Sequence, residues 1–254
     1  MDSTPAPNPF APPRSDLRQP ANLGAPPSIE EALSRGYDFA IGDLLGEAWR
    51  NTHGIKGPIL CGMVAFYLAL TVFLFALVFT LSFSGLLGAG NPAVGAGLQL
   101  ALSLLGTVLT YPFFVGLQMI GIRRAAGQPV GFHLVFAYFG RSLPLLVTGI
   151  LMTLFVYLGT LLLILPGLYL AVAYLLAMAL VAERGLSPWQ AMEVSRKAIS
   201  QHWFKVFGLL LLLSLFLFVS ALPLGIGLIW SLPLSVAALG VLYREIFGVL
   251  PATE

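Results

Sequence analysis

The distribution of charged residues constrains this chain more than any other feature. No Asp, Glu, Lys or Arg occurs in residues 57–122, 142–182 or 206–243, blocks of 66, 41 and 38 residues. A helix needs about 20 residues to cross the roughly 30 Å hydrocarbon layer of a bilayer, so each block has room for two spans and a turn. Apolar runs such as "LLLLLSLFLFV" lack the alternation of barrel strands. We therefore predict an all-α, polytopic membrane protein with six transmembrane helices.

The chain divides into four segments by composition. Residues 1–27 contain eight prolines and few large apolar groups, which predicts a disordered tail. Residues 28–57 are predicted to form cytoplasmic or interfacial helices, residues 58–247 the six-span membrane domain, and residues 248–254 a short C-terminal tail. The spans are expected at about 58–83, 98–122, 145–164, 168–182, 206–221 and 226–244, in three hairpins. Pro166 and Gly167 are expected to separate the third and fourth spans, which form the second hairpin.

An interfacial amphipathic helix is predicted before each hairpin. In "IGDLLGEAWRN" the apolar residues recur at helical spacing, and Ser28 with Glu31 has the spacing of a helix-capping box. Ser187, Pro188 and Gln190 form a second helix-start signal, for a helix expected to run towards Lys205. Three charged exits, marked by Arg124, Arg184 and Arg244, lie sixty residues apart and indicate a threefold internal repeat.

The basic residues predict the orientation of the chain. With six spans, all thirteen Lys and Arg residues fall on one side of the bilayer, and the turns on the other side contain none. Positive residues in short loops remain on the cytoplasmic side, so both termini are expected there. The candidate headgroup or partner contacts on this side are Trp49, Arg123, Arg124, Arg141, Glu183, Arg184, Trp189, Arg196, Lys197, Trp203 and Lys205.

Two interpretations of these candidate residues are open. They can be topology determinants that bind anionic lipid headgroups, each base contributing about 1 kcal/mol near the surface. They can instead form a docking surface for an unknown membrane or cytoplasmic protein. Pairing of the basic loops with Asp43 and Glu47 would turn the cytoplasmic face into a self-contained collar.

The sequence offers little support for catalysis or ion-coupled transport. His53, His133 and His202 lack a second ligand at metal-binding spacing, and the single cysteine, Cys61, excludes an intrachain disulfide. No carboxylate, histidine or base lies at mid-membrane depth, where coupled transporters and hydrolytic membrane enzymes need one. We predict no catalytic residue, no metal, no cofactor and no nucleic-acid partner. The pair Glu183 and Arg184 is interpreted as a stop at the headgroups.

Residues 162–213 resemble a known family. The pattern consists of Pro166-Gly167, a charged pair at 183–184, Ser187-Pro188, Ser195-Arg196 and a re-entry at Trp203. It is similar to the membrane domain of some bacterial glycerophosphodiester phosphodiesterases and of related multi-pass proteins. In those fusion proteins the activity resides in a separate soluble barrel of about 250 residues, for which this chain has no room. The resemblance therefore implies a protein of the bacterial inner membrane and transfers no catalytic residue.

These observations lead to one functional prediction and two alternatives. We expect a non-catalytic integral membrane protein that organises lipid or partner proteins at the cytoplasmic leaflet. A small-molecule or lipid transporter is the alternative, favoured by the interrupted apolar segments and Gly-rich turns. An intramembrane enzyme is the third class, and the missing acid–base pair argues against it.

Overall fold

The computed structural model describes residues 26–83 and 92–251. These residues form helices and contain no strand. The α-helices are α1 (Ile29–Arg35), α2 (Ile41–Asn51), α3 (Lys56–Phe83), α4 (Pro92–Ala125), α5 (Ser142–Leu162), α6 (Ile164–Ala173), α7 (Ala177–Arg184), α8 (Pro188–Gln201), α9 (Trp203–Ala221) and α10 (Leu228–Phe247). Two short 3-10 helices, Phe132–Val135 and Phe139–Arg141, precede α5.

Six segments of the described chain are long and apolar enough to cross a membrane. They are Lys56–Phe83, Val94–Ala125, Phe132–Leu162, Ile164–Arg184, Trp203–Ala221 and Leu228–Phe247. The predicted all-α class with six candidate spans is confirmed. Most of the predicted disordered tail, the Gly-rich turn at 84–91 and the last three residues lie outside the described residues.

Both predicted helix starts have the expected caps. The Ser28 hydroxyl accepts a hydrogen bond from the backbone N–H of Glu31 at 3.2 Å, and Ser187 forms a reciprocal capping box with Gln190. The helix that Ser187 starts is shorter than predicted, because α8 ends at Gln201 and α9 begins at Trp203. His202 separates the two helices with a non-helical backbone (φ −136°, ψ 45°).

The break between α5 and α6 lies at Leu163 rather than at Pro166 and Gly167. Leu163 is extended (φ −160°, ψ 144°), and α6 starts at the next residue. Pro166 is in the first turn of α6, where its missing N–H would have no helical acceptor. At Gly167 a Cβ would lie 2.0 Å from Thr160 Oγ1, so glycine is needed for the close approach of α5 and α6.

The fourth candidate span is interrupted. Helix α6 ends at Ala173, and residues 174–176 form a turn before α7 starts. The fully buried Ser195 of α8 reaches into this turn: its hydroxyl donates to Ala173 O at 2.7 Å and accepts from Leu176 N–H at 3.2 Å. Ser195 thereby satisfies backbone groups that a buried break would otherwise leave unpaired.

The most extensive helix contact joins α4 to α10. A Cβ at Gly240 would lie 2.2 Å from the carbonyl carbon and oxygen of Gly121, and a Cβ at Gly121 would lie 2.2 Å from Val236 O. Two facing glycines thus let the backbones approach closely, as is common between membrane helices. The pairing of the spans into three hairpins stays a prediction.

Helix α2 and the 3-10 helix Phe132–Val135 precede the first and second predicted hairpins, where interfacial helices were expected, and both contribute buried residues. On α2, Leu44 and Ala48 are buried, and the helix packs against α10, whereas Trp49 is 47 % exposed. In the 3-10 helix Phe132–Val135, the Val135 side chain is fully buried. A Cβ at Gly116 of α4 would lie 2.3 Å from the Val135 carbonyl oxygen. Periodicity identifies an apolar face but does not distinguish lipid from protein as its neighbour.

Candidate functional site

The last turns of α4, α7 and α10 meet α1 and α2 at one end of the bundle, here called the charged end. The final carbonyls of a helix have no partner within that helix, and cations near them are favourable. At the charged end, arginines of other elements supply the missing donors. Arg244 donates to Ala125 O at the end of α4, Arg184 to Phe247 O at the end of α10, and Arg141 to Ala182 O near the end of α7.

Two further arginines have the same role. Arg35 of α1 donates to the carbonyls of Glu245 and Ile246 in the last turn of α10, at 3.2 and 3.3 Å. Arg124 of α4 donates to His53 O, in the turn that follows α2, at 2.7 Å. These arginines therefore join neighbouring helix ends, and much of the basic charge that was predicted to face lipid or a partner is used in the fold.

Glu183 lies at the centre of the charged end. The Glu183 and Arg184 side chains are 5 % and 9 % exposed, and Arg184 Nε lies 3.3 Å from Glu183 Oε2. The same oxygen accepts a hydrogen bond from the Tyr243 hydroxyl, and Oε1 accepts one from the backbone N–H of Leu250 at 2.7 Å. A buried charge is tolerated when it is paired and hydrogen-bonded, and this carboxylate is both.

The remaining ion pairs are more exposed. Arg244 pairs with Glu47 of α2 and with the adjacent Glu245. Lys205 pairs with Asp38, and its hydrogen bond lowers the pKa of that carboxyl group. Next to Asp38, burial raises the pKa of Tyr37 to about 12, so this hydroxyl stays protonated. Glu47 thus pairs with Arg244 in the last turn of α10 and not with the basic loops between the spans, as the collar would have required.

A cavity of about 500 Å³, here called the arginine cavity, opens beside Glu183. It is lined by Met119, Arg123, Gln128, Ala137, Tyr138, Arg141, Ala182, Glu183, Val249, Leu250 and Pro251. Segment 249–251 forms one wall and is held by two hydrogen bonds of Leu250, one to Glu183 and one from Gln128 Nε2 to Leu250 O at 2.7 Å.

The side chains that line the arginine cavity carry a net positive charge. Arg123 and Arg141 form no ion pair with a carboxylate anywhere in ranges 26–83 and 92–251. The Tyr138 side chain lines the same cavity as both guanidinium groups. The one carboxylate in the lining, Glu183, already has Arg184, Tyr243 and Leu250 as partners. Among the residues that the structure describes, the cavity therefore has guanidinium donors to offer and no unpaired carboxylate to oppose an anion.

The structure brings only part of the predicted set together. Arg123, Arg141 and Glu183 line the arginine cavity; Arg124 and Arg184 bind backbone carbonyls. Trp189 and Arg196 line a second pocket, Lys197 pairs with Glu193 at 2.8 Å, Trp203 Nε1 donates to Tyr169 O at 3.3 Å, and Trp49 contributes to neither pocket.

Sequence reasoning missed several residues that line or support the arginine cavity. Gln128 and Tyr138 were passed over because they carry no charge, although their position in a basic segment between two spans was a usable signal. The wall at 249–251 had no signal, since "LP" after a helix indicates only its end. Tyr243, whose hydroxyl donates a hydrogen bond to Glu183, lies within an apolar span and looks like a core residue.

Comparisons with known proteins do not identify a family. No family model, curated protein or solved structure matches this chain. The resemblance to the membrane domain of glycerophosphodiester phosphodiesterases stays a prediction. Among the described residues, no group of three or more His, Cys, Asp and Glu side chains could hold a metal ion.

Proposed function

We propose that this protein is a non-catalytic integral membrane protein that binds the phosphate of anionic phospholipid headgroups in the arginine cavity. It would thereby organise lipid in the leaflet at the charged end. One observation carries the proposal: within the described part of the chain, two arginines without carboxylate partners face a cavity whose only carboxylate is already bonded by other groups.

The chemistry of the lining supports a phosphate ligand. A guanidinium group presents several N–H donors in a plane and bonds phosphate oxygens in pairs. Arg141 uses Nη1 for Ala182 O, which leaves Nη2 for a ligand, and Arg123 lines the same cavity. The Gln128 amide is fixed by Leu250, so the polar wall is preorganised.

The apolar part of the lining favours a lipid over a free anion. Met119, Ala137, Val249 and Leu250 share the cavity with the arginines. The cavity also lies where α4 and α7, each within a candidate span, end. A ligand with a phosphate and an apolar tail matches both halves of this surface, whereas inorganic phosphate matches one.

The first test measures lipid binding. Native mass spectrometry of the delipidated protein in detergent should show phosphatidylglycerol bound, and the Arg123→Gln/Arg141→Gln variant should bind it at least about tenfold more weakly. A hydrogen bond to a charged group contributes about 1.5–3 kcal/mol, and about 1.4 kcal/mol corresponds to a factor of ten.

The matched control is Arg50→Gln/Lys197→Gln, which removes the same two positive charges from exposed positions outside the cavity. It should bind phosphatidylglycerol as the wild type does. Equal weakening in the control and the double variant would mean that net charge, not the cavity, attracts the lipid. If millimolar inorganic phosphate displaces the lipid from the cavity, the natural ligand is a soluble anion and not a phospholipid.

The orientation belongs to the same proposal: the charged end faces the cytoplasm of a bacterium, and the protein resides in the inner membrane. The basic residues and the rule that short positive loops stay inside support it. In a Cys61→Ala background, Lys197→Cys should react with a membrane-impermeant maleimide only in inverted vesicles.

The matched control for this labelling is Leu224→Cys. Leu224 is 97 % exposed in the α9–α10 turn and should react in intact cells. Labelling of position 197 from outside intact cells would contradict the orientation.

A further inference from the structure

A second pocket, of about 300 Å³, lies against α8 and shares no residue with the arginine cavity. Trp189, Met192, Glu193 and Arg196 line it, and they occupy positions i, i+3, i+4 and i+7 of α8, which is one face of the helix. Tyr174, from the turn between α6 and α7, closes the other side. We call it the α8 pocket.

The floor of the α8 pocket is apolar and continues onto α5. Tyr174 and Met192 belong to a small buried cluster that is separate from the main core, with Phe155 of α5 packed against it. The Trp189 ring meets the Phe155 ring edge-on, with centroids 5.8 Å apart, and Trp189 remains 59 % exposed. An exposed tryptophan beside a candidate membrane span is typical of the zone where headgroups meet acyl chains.

The rim of the α8 pocket carries one charge of each sign. Lys197 Nζ bonds Glu193 Oε1 at 2.8 Å, and this hydrogen bond lowers the pKa of Glu193, so the carboxylate is ionised at neutral pH. Glu193 Oε2 has no hydrogen-bond partner within the described ranges, although a carboxylate oxygen accepts more than one. The Arg196 side chain likewise forms no ion pair there.

We infer that the α8 pocket binds a zwitterionic phospholipid headgroup with a primary amine, of the phosphoethanolamine type. The lipid phosphate bonds the Arg196 guanidinium, and the ammonium donates to Glu193 Oε2. The glycerol and upper acyl chain lie on Trp189 and Phe155.

The charges on the rim select this class of headgroup. Residues three apart on a helix are neighbours, so one compact ligand reaches both charges. An anionic headgroup would leave Glu193 facing a like charge. A trimethylammonium group has no N–H to donate to the open carboxylate oxygen.

Native mass spectrometry with phosphatidylethanolamine and phosphatidylcholine of identical acyl chains tests the inference on the full chain. The wild type should bind the ethanolamine lipid several-fold more tightly. Glu193→Gln should remove that preference, and Arg196→Gln should weaken both lipids about tenfold. Both substitutions lie at a half-exposed rim, so the protein should fold.

The matched control is Glu30→Gln, which removes the same negative charge from the exposed surface of α1, outside the pocket lining, and should keep the preference. Soluble O-phosphoethanolamine should not displace the lipid at equal concentration, because it lacks the apolar part. Equal binding of the two lipids by the wild type, or a preference that survives Glu193→Gln, overturns the inference.

The outcome is separable from that of the proposed function. Arg123→Gln/Arg141→Gln should leave the ethanolamine preference intact, and Arg196→Gln should leave phosphatidylglycerol binding intact. Loss of both properties in each variant would indicate a general defect and would overturn the assignment of two distinct sites.

Discussion

Gly240→Ala is expected to destabilise the bundle by about 3 kcal/mol, the upper end of the usual cost of overpacking. The added Cβ would lie 2.2 Å from the carbonyl carbon and oxygen of Gly121 and 2.6 Å from Ile122 N. These are backbone atoms, so no rotamer change relieves the clash, and α4 and α10 must separate. Thermal unfolding in detergent, followed by loss of monodispersity, measures the effect.

Gly106→Ala is the matched control for Gly240→Ala. Gly106 lies in α4, and a Cβ there meets nothing within 4 Å. Its unfolding midpoint should stay close to that of the wild type. If both alanine variants unfold alike, the close contact of α4 with α10 does not determine stability.

Glu183→Gln is expected to cost about 3 kcal/mol, the value typical of breaking a buried ion pair. The substitution keeps the size of the side chain but leaves the Arg184 guanidinium, 9 % exposed, without its countercharge. The bonds from Tyr243 and Leu250 also lose a charged acceptor. Chemical or thermal denaturation of the purified variant measures the loss.

Glu193→Gln serves as the comparison, because its partner Lys197 is 53 % exposed and the pair is of the i, i+4 type. Solvent screens exposed pairs of this kind, so the unfolding midpoint of Glu193→Gln should barely move. Equal destabilisation by the two substitutions would show that Glu183 is not electrostatically coupled to Arg184.

The fold class could be predicted from the sequence because it follows from a strong physical constraint. Charges are too costly in hydrocarbon to be scattered, so their absence from three long blocks identified the candidate spans. The caps at Ser28 and Ser187 were predictable for a related reason: they depend only on neighbouring residues.

Features that depend on distant residues could not be predicted. The interruption at 174–176 is stabilised by Ser195, about twenty positions later in the chain, and no local pattern records that contact. Pro166 was a reasonable marker for the break at Leu163, but proline is also favoured in the first turn of a helix, which is where it lies.

The candidate site was partly predictable. Arg123, Arg141 and Glu183 were selected because they are charged and next to spans, and they line one cavity. Sequence could not separate them from Arg124, Arg184 and Arg244, which look alike in the chain but bind backbone carbonyls outside the cavity, whereas Arg141 lines the cavity and binds a carbonyl as well. That distinction depends on which carbonyl lies within reach of each guanidinium group.

The bonds from Arg35 to the end of α10 join residues 210 and 211 positions apart in the chain. A ribosome releases α1 long before α10, so the early helix has no acceptor for this arginine while the intervening segments are being inserted. Closure of the charged end is therefore a late step of biogenesis. Until then the arginine cavity lacks its wall at 249–251 and is open on that side.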